Sequence, residues 1–158
     1  MMENVQTKIM KFLLDKKWKL ATAESCTGGL LVSSLIDVPG ASNVISESFV
    51  TYSIDAKCAL LDVDPKTIEE FGVASMEVSL AMATGLANKS GADVCIATTG
   101  EAGSSLIEKS LAFCYYTIIV GEESYSFITE TKATRNDARS AFVETICEKL
   151  LAILKREE

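Results

Sequence analysis

The amino-acid sequence predicts an α/β fold in which helices cover both faces of a central, mostly parallel sheet. Strand-like segments alternate with helix-like segments along the chain, which is the pattern of a sheet wound with crossover helices. Residues 92–100, ADVCIATTG, have the apolar character of a buried strand. The 158 residues contain no repeat and no linker, so we expect one domain spanning residues 1–158.

The first half of the chain is predicted to run helix, strand, helix, strand, helix. Apolar residues recur at helical spacing over residues 4–17, which predicts the first helix. The segment KLATA is typical of a short strand. A second helix is expected from about Cys26 to Ile36, ahead of a turn at Pro39 and Gly40. A strand in NVISESFVTYS and a short helix in DAKCALL follow.

The second half begins with two helices whose end signals are explicit. Asp64 and Pro65 suit the N-cap and the first position of a helix that Gly72 ends, and Ser75 suits the cap of a longer helix to about residue 89. After the strand at 92–100, two strands around Gly121 form a hairpin, which requires one antiparallel strand. The last helix opens at residue 134 or 136 and runs to about residue 155.

Charge and composition exclude several functional classes. The formal charge of −7 argues against general nucleic-acid binding, which needs a basic surface. No apolar run reaches the roughly 18 residues of a membrane span, and the N-terminus lacks the apolar core of a secretory signal. We therefore expect a cytoplasmic protein that binds neither nucleic acid nor a membrane.

The cysteines and the absence of histidine limit which disulfides, metal sites and catalytic bases the chain can have. Five scattered cysteines without a CxxC motif indicate reduced thiols. A chain without histidine is a poor candidate for a zinc site, so we expect no disulfide, no metal and no cofactor. Any activated serine must also use a base other than histidine.

Polar residues are concentrated in TAESCTGGLLVSSL, where a strand gives way to a helix. Ligands of α/β sheets bind at such junctions, so Ser25 is a candidate nucleophile. Gly28 and Gly29 would let the backbone approach a ligand. Free N–H groups of the helix start would hold a phosphate or an oxyanion. The alternative is a simple helix cap followed by a glycine turn.

The segment FVTYSIDAK brings a base to the same edge. Tyr52 and Lys57 follow the next strand, and a lysine in a partly dry cleft can lose its proton and activate a serine. The alternatives are a surface cation for Lys57 and strand-edge packing for Tyr52. If the pair is functional, Ser25 Oγ and Lys57 Nζ should lie about 2.6–3.2 Å apart, or be bridged by a water or by Tyr52.

Several other residues are weaker candidates. Thr99 ends a strand at the ligand edge, and either Arg135 or Arg139 could bind a phosphate; strand-end packing and surface ion pairs are the alternatives. Glu24 would orient backbone groups or be a solvated carboxylate. Cys26 is expected to be a small buried filler.

The motifs AESCTGG, FVTYSxxAK, TTGEAG and RNDAR, in this order, resemble those of the CinA C-terminal domain family. The likeness covers about residues 8–154. That family includes nicotinamide mononucleotide deamidases. The resemblance implies a three-layer α/β/α fold with a mixed five-stranded sheet. It also implies a homodimer that acts on a small nucleotide substrate, hydrolysing the carboxamide of a pyridine nucleotide to a carboxylate and ammonia without a metal.

The resemblance also assigns roles to individual residues. Ser25 matches the nucleophile, Lys57 the base and Tyr52 a supporting hydroxyl. The substrate-binding positions that it implies are Thr27, Gly28, Gly29, Ser42, Thr99 and Arg135.

The chain departs from the family's pattern in the segment GEAGSSLIEKS. Glu101 replaces an apolar residue, a glycine-rich portion is lost, and Ile54 stands where asparagine is usual. Two functions therefore stay open. One is an amidohydrolase whose substrate has changed, with Glu101 disfavouring a phosphorylated ligand. The other is a non-catalytic nucleotide-binding or regulatory domain of the same fold.

Overall fold

The computed structural model describes residues 2–158 and contains a five-stranded sheet between two layers of helices. The strands are β1 (Leu20–Glu24), β2 (Ile45–Val50), β3 (Val94–Glu101), β4 (Ser110–Val120) and β5 (Glu123–Ala133). The helices are α1 (Val5–Lys16), α2 (Leu30–Ile36), α3 (Ile54–Leu61), α4 (Pro65–Phe71), α5 (Met76–Ser90) and α6 (Arg135–Leu154). This element order is the predicted one. Short 3₁₀ turns lie at Ala41–Asn43 and Lys155–Glu157.

The sheet has the strand order β2-β1-β3-β4-β5. Strand β1 pairs in parallel with both β2 and β3, whereas β4 pairs antiparallel with both β3 and β5. Four strands therefore run in one direction and β4 alone runs against them, which confirms the mostly parallel sheet. The carboxyl ends of β1, β2 and β3 meet at one edge, where ligands of such sheets bind.

Each face of the sheet carries its own apolar core. Leu20, Val94 and Ile96 face the layer that contains α1, α2 and α6. Their neighbours along the strands, such as Cys95 and Ala97, face α4 and α5 instead. Adjacent strand residues point to opposite faces, so strands that are apolar at nearly every position require helices on both sides, as predicted.

Helix ends follow the chemistry of the capping residues. The side chains of Asn4, Asp64 and Ser75 accept N–H bonds at the starts of α1, α4 and α5, as expected of N-caps. Helix α2 differs from the prediction, since it begins at Leu30 and not near Cys26. The intervening residues form a turn in which Gly28 has φ +58°.

Gly85 sets the position of α3 against α5. A Cβ on Gly85 would stand 1.8 Å from the Leu61 carbonyl oxygen at the end of α3, far inside the contact distance of two atoms. Glycine therefore permits the close approach of these two helices. Because α3 carries Lys57, this packing also helps to hold the lysine at the ligand edge of the sheet.

Candidate active site

A cavity of about 420 Å³ opens at the edge where β1, β2 and β3 end. Its size is that of a small-molecule site. The cavity wall includes Ser25, Tyr52, Lys57, Thr99, Glu101 and Arg135. The topology thus brings together residues that are far apart in the chain, and four of the sequence-predicted candidates besides Ser25 are among them.

Ser25 and Lys57 form a direct, buried contact. Lys57 Nζ lies 3.0 Å from Ser25 Oγ, within the range that the sequence analysis sets for a functional pair. Ser25 is 7% exposed and Lys57 is fully buried. The interpretation of Lys57 as a surface cation is therefore wrong.

The remaining partners of Lys57 are two backbone carbonyls. Nζ donates to the Thr51 carbonyl at 2.7 Å and to the Tyr52 carbonyl at 3.4 Å. Lys57 forms no ion pair with any of residues 2–158. Burial lowers the pKa of the Lys57 ammonium below its ordinary value, and the nearby thiols of Cys26 and Cys58 offset part of this shift.

This arrangement suits a lysine that gives up its proton. An ammonium group has three N–H donors, which match the two carbonyls and Ser25 Oγ. A neutral amine has two N–H groups and one lone pair, and carbonyl oxygens can only accept. The two N–H groups then stay on the carbonyls, and the lone pair faces the Ser25 hydroxyl as a base.

Glu24 controls the start of α2. Its fully buried carboxylate accepts N–H bonds from Gly29 at 3.2 Å, Leu31 at 2.9 Å and Val32 at 3.1 Å. The expectation that these helix-start groups hold a substrate anion is therefore wrong, because Glu24 already occupies them. The alternative role for Glu24, a solvated carboxylate, is also excluded.

Tyr52 extends over the cavity mouth. Its side chain is 62% exposed, which contradicts the strand-edge packing alternative. Its hydroxyl accepts a hydrogen bond from Arg135 Nη2 at 3.0 Å and does not bridge Ser25 and Lys57. Only the Tyr52 carbonyl contacts Lys57, so the structure separates the phenol from the serine–lysine pair.

The two arginines of α6 have different positions. Arg135 lies on the cavity wall, and its Nη1 donates to the Gly103 carbonyl at 2.8 Å. Arg139 lies behind residues 25–29, the turn between β1 and α2 that we call the serine turn. It donates to the Cys26 carbonyl at 3.2 Å and the Thr27 carbonyl at 2.7 Å. Arg135 is the one of the two that a ligand could reach.

Three predicted substrate positions of the serine turn, Thr27, Gly28 and Gly29, lie off the cavity wall, so their role in substrate binding stays a prediction. A Cβ on Gly28 would stand 2.9 Å from Arg139 Nη2, so the glycine makes room for an arginine and not for a ligand. Thr27 is fully buried, and its hydroxyl pairs with that of Thr98 at 2.9 Å.

Ser42 and Thr99, two further predicted substrate positions, differ in their location relative to the cavity. Ser42 precedes β2, so it lies at the sheet edge opposite the cavity and not on its wall. Its role in substrate binding stays a prediction. Thr99 lies on the cavity wall as predicted. Its hydroxyl donates to the Val73 carbonyl at 2.8 Å, which fixes the side chain.

Cys26 is more than a buried filler. It lines the cavity beside Ser25, and its sulfur lies 3.5 Å from that of Cys114. All five cysteines are free thiols. Within residues 2–158, no cluster of three acidic or cysteine side chains is placed to hold a metal ion, and no helix has the length and apolarity to cross a bilayer.

The sequence analysis missed the contacts that build the turn. Nothing in the local pattern marks Arg139 as the partner of the Cys26 and Thr27 carbonyls, since these residues are more than 100 positions apart. The expectation that Glu24 orients backbone groups is confirmed by its three N–H bonds, and a carboxylate just before a helix is favoured by the positive end of the helix dipole.

The chain matches the family described as the CinA C-terminal domain over residues 2–156. It is 53% identical over 95 residues to a CinA-like protein of Chlorobaculum tepidum, which covers 60% of the chain and 22% of that protein. The chain thus spans about a fifth of that relative's length. It is 40% identical to the MG115 homolog of Mycoplasma pneumoniae, over 92% of the chain and 94% of that protein.

Solved structures show the same fold. The crystal structure of a competence-damaged protein (CinA) superfamily protein from Escherichia coli superposes with a TM-score of 0.87 at 27% identity. The match covers 96% of this chain and 89% of that one.

Proposed function

The chain belongs to the CinA C-terminal domain family, and on that premise we propose that it is an amidohydrolase with a serine nucleophile and a lysine base. Its proposed substrate is the carboxamide of a pyridine nucleotide, such as nicotinamide mononucleotide. The observation that carries the proposal is the buried contact of 3.0 Å between Ser25 Oγ and Lys57 Nζ at the wall of the cavity.

In the first half of the proposed reaction, neutral Lys57 takes the proton of the Ser25 hydroxyl. Ser25 Oγ then attacks the carboxamide carbon, and a tetrahedral intermediate with a negatively charged oxygen forms. Collapse of this intermediate breaks the C–N bond. The leaving nitrogen takes the proton from Lys57 and departs as ammonia, which leaves an ester on Ser25.

The second half repeats these steps with water. Lys57 takes a proton from a water molecule, and the resulting hydroxide attacks the ester carbon. The bond to Ser25 Oγ breaks, and Lys57 returns the proton to the serine. The products are a pyridine carboxylate and the free enzyme, so one water is consumed and one ammonia released for each carboxamide.

The backbone of the serine turn offers a donor for the oxyanion. Glu24 occupies the N–H groups farther along, at Gly29 and Leu31. In the described part of the chain, the Cys26 N–H has no carbonyl partner. We assign the Cys26 N–H as the oxyanion donor, since the residue after a nucleophile often has this role.

A second candidate function is nucleotide binding without catalysis. It is favoured by the exposed Glu101 on the cavity wall and by Arg135, whose guanidinium already donates to two protein oxygens. Both features weaken the attraction of the site for a phosphate. In this case, the cavity would hold a ligand while Ser25 stays unreacted.

Ammonia release distinguishes the two functions. The protein and its Ser25→Ala variant are incubated with nicotinamide mononucleotide and with nicotinamide riboside, and ligand binding is measured by calorimetry on the same samples. Turnover of either amide by the wild-type protein alone supports the hydrolase. Binding without ammonia release in both proteins supports the non-catalytic domain, and the absence of both turnover and binding contradicts the two functions together.

A further inference from the structure

Two thiols meet directly beneath the serine turn. Cys26 Sγ and Cys114 Sγ are 3.5 Å apart. Cys26 is 6% exposed and lines the cavity, whereas Cys114 is fully buried in the middle of β4. The thiol of Cys95 instead contacts Ser90 Oγ and the Ala92 carbonyl. The pair at Cys26 therefore differs from an ordinary buried cysteine.

The two members of the pair have different chemical characters. The hydrogen bond with Cys114 lowers the pKa of the Cys26 thiol, an effect that burial opposes. The same hydrogen bond, together with burial, raises the pKa of Cys114 well above its ordinary value. The thiolate is the nucleophile in thiol chemistry. Because Cys26 also lines the cavity while Cys114 is fully buried, Cys26 is the attacking sulfur and Cys114 the resolving partner beside it.

We propose that Cys26 and Cys114 form a reversible disulfide when the protein meets hydrogen peroxide, and that this bond separates Ser25 from Lys57. The separation bears on the proposed function; the disulfide itself does not depend on it. Nothing in the catalytic steps above uses either sulfur. The cavity gives a small oxidant access to Cys26, which the buried Cys114 lacks.

The reaction proceeds in two balanced steps. Cys26 thiolate attacks one peroxide oxygen, the O–O bond breaks, and hydroxide leaves to take up a proton as water, which gives a sulfenic acid. Cys114 sulfur then attacks the Cys26 sulfur, the S–O bond breaks, and the leaving hydroxide takes the Cys114 proton as a second water. Two thiols are oxidised and one peroxide is reduced to two waters.

The turn, and not the strand, moves when the bond forms. Cys114 lies in β4 between β3 and β5, with Gly100 as its partner in β3. Cys26 lies in a turn outside any helix or strand. The sulfurs must approach by about 1.5 Å to reach the length of a disulfide bond. Because Ser25 is the adjacent residue, its 3.0 Å contact with Lys57 is broken.

Mass spectrometry of the intact protein tests the bond. The native protein is treated with hydrogen peroxide, quenched, digested without reductant and compared with an untreated sample. We expect the protein to become lighter by two hydrogen atoms and to yield one cross-linked peptide pair containing Cys26 and Cys114. Dithiothreitol should restore the original mass. A wild-type protein that gains only oxygen atoms, or that is not oxidised at all, overturns the proposal.

Matched cysteine variants locate the bond. Cys114→Ser should abolish the cross-link and leave Cys26 as a sulfenic acid that a dimedone probe captures. Cys95→Ser removes another buried thiol and should keep the cross-link. The same loss of two hydrogen atoms in Cys114→Ser contradicts the assignment. The wild-type peptide map decides the question if a variant fails to fold.

Two readouts test the effect on Ser25. A crystal structure of the oxidised protein should show the Ser25 Oγ–Lys57 Nζ hydrogen bond broken, whether or not the protein is a hydrolase. Ammonia release, where the reduced protein supports it, should fall about 100-fold on oxidation, because displacements near 1 Å cost that much, and should recover with dithiothreitol. An unchanged Ser25–Lys57 distance in the disulfide form refutes this part.

Discussion

The two walls of the cavity are built in opposite ways. One wall contains Ser25 and Lys57, which are almost fully buried and hydrogen-bonded to each other. The facing wall contains Glu101, Ser104 and Leu111, whose side chains are exposed. The first wall is held in place by contacts within the protein, so its geometry exists before any ligand arrives. The second wall makes few such contacts, so its residues can change without loss of the fold.

The largest effect is expected from replacing Lys57, the proposed base on the buried wall. Lys57→Met should reduce kcat by about 10²–10⁴-fold, the usual contribution of general acid–base catalysis. Lys57→Arg should be as inactive, because a guanidinium keeps its proton at any working pH. Ammonia release measures both, and circular dichroism checks the fold.

The exposed Lys66 of α4 provides the matched control. Lys66→Met removes an exposed lysine that is not on the cavity wall and should leave kcat unchanged. If Lys57→Met stays active while its fold is intact, the serine–lysine pair is not the catalytic unit.

The pH dependence of kcat/KM tests the role of Lys57 as a base without a mutation. Lys57 must be neutral to act as a base, and its burial lowers the pKa of the ammonium. The neutral fraction grows as pH rises, so kcat/KM should rise with pH. The midpoint should lie below the ordinary lysine value of 10.5.

Initial rates of ammonia release across the pH range in which the protein stays folded measure this profile. A profile that is flat, or that falls with pH, would assign the proton transfer to another group.

Neutralising the buried carboxylate of Glu24 should lower the stability of the protein more than neutralising an exposed carboxylate. Glu24→Gln replaces one accepting oxygen with an NH₂ group that faces N–H donors at the start of α2. We expect a loss of about 3 kcal/mol in the free energy of unfolding, measured by urea titration.

An exposed carboxylate off the cavity wall, Glu108, provides the comparison. Glu108→Gln, in the segment between β3 and β4, should change the free energy of unfolding by no more than about 0.5 kcal/mol. Equal stability of the Glu24 and Glu108 variants would contradict the structural role of the buried carboxylate.

The smallest effect is expected from changing Glu101 on the exposed wall of the cavity. Glu101→Gln removes a negative charge at nearly constant volume, and a like charge about 4–6 Å from a phosphate weakens binding by an order of magnitude. KM for the mononucleotide should therefore fall about tenfold, with kcat and the KM for the uncharged riboside unchanged.

Glu101→Ile, which replaces the carboxylate with an apolar side chain, should act in the same direction. Glu108→Gln controls for charge elsewhere in the segment. Efficient turnover of the mononucleotide by the wild-type protein, with no response to either Glu101 variant, would show that Glu101 does not set substrate preference.

The sequence predicts the fold and the reactive pair for a common reason. The order of strands and helices along the chain and the helix caps follow from local signals, and they place Ser25 and Lys57 after parallel strands whose carboxyl ends meet at one edge. Ser42 could not be placed in this way, because its assignment came from resemblance and not from topology. Cys26 and Cys114 are 88 positions apart in the chain. A pattern of apolar residues predicts helices and strands, but it does not predict which two distant side chains come into contact.

The errors in the serine turn have a different origin. Local reasoning treats the N–H groups at a helix start as free, and it therefore offers them to a ligand at Gly28 and Gly29. Whether an internal acceptor reaches them first depends on side-chain direction. The Gly28 N–H donates to the Ser25 carbonyl. Glu24, one residue before Ser25, points toward the helix and takes the N–H groups of Gly29, Leu31 and Val32.

The buried carboxylate of Glu24 also determines whether dissolved anions can bind at the start of α2. A tethered ligand competes for a site at an effective concentration of about millimolar or more, and Glu24 never diffuses away from the start of α2. Free phosphate or sulfate must displace this resident anion from groups that solvent barely reaches. The N–H groups of Gly29, Leu31 and Val32 are thereby insulated from changes in ionic composition, whereas Arg135 on the cavity wall stays within reach of a free anion.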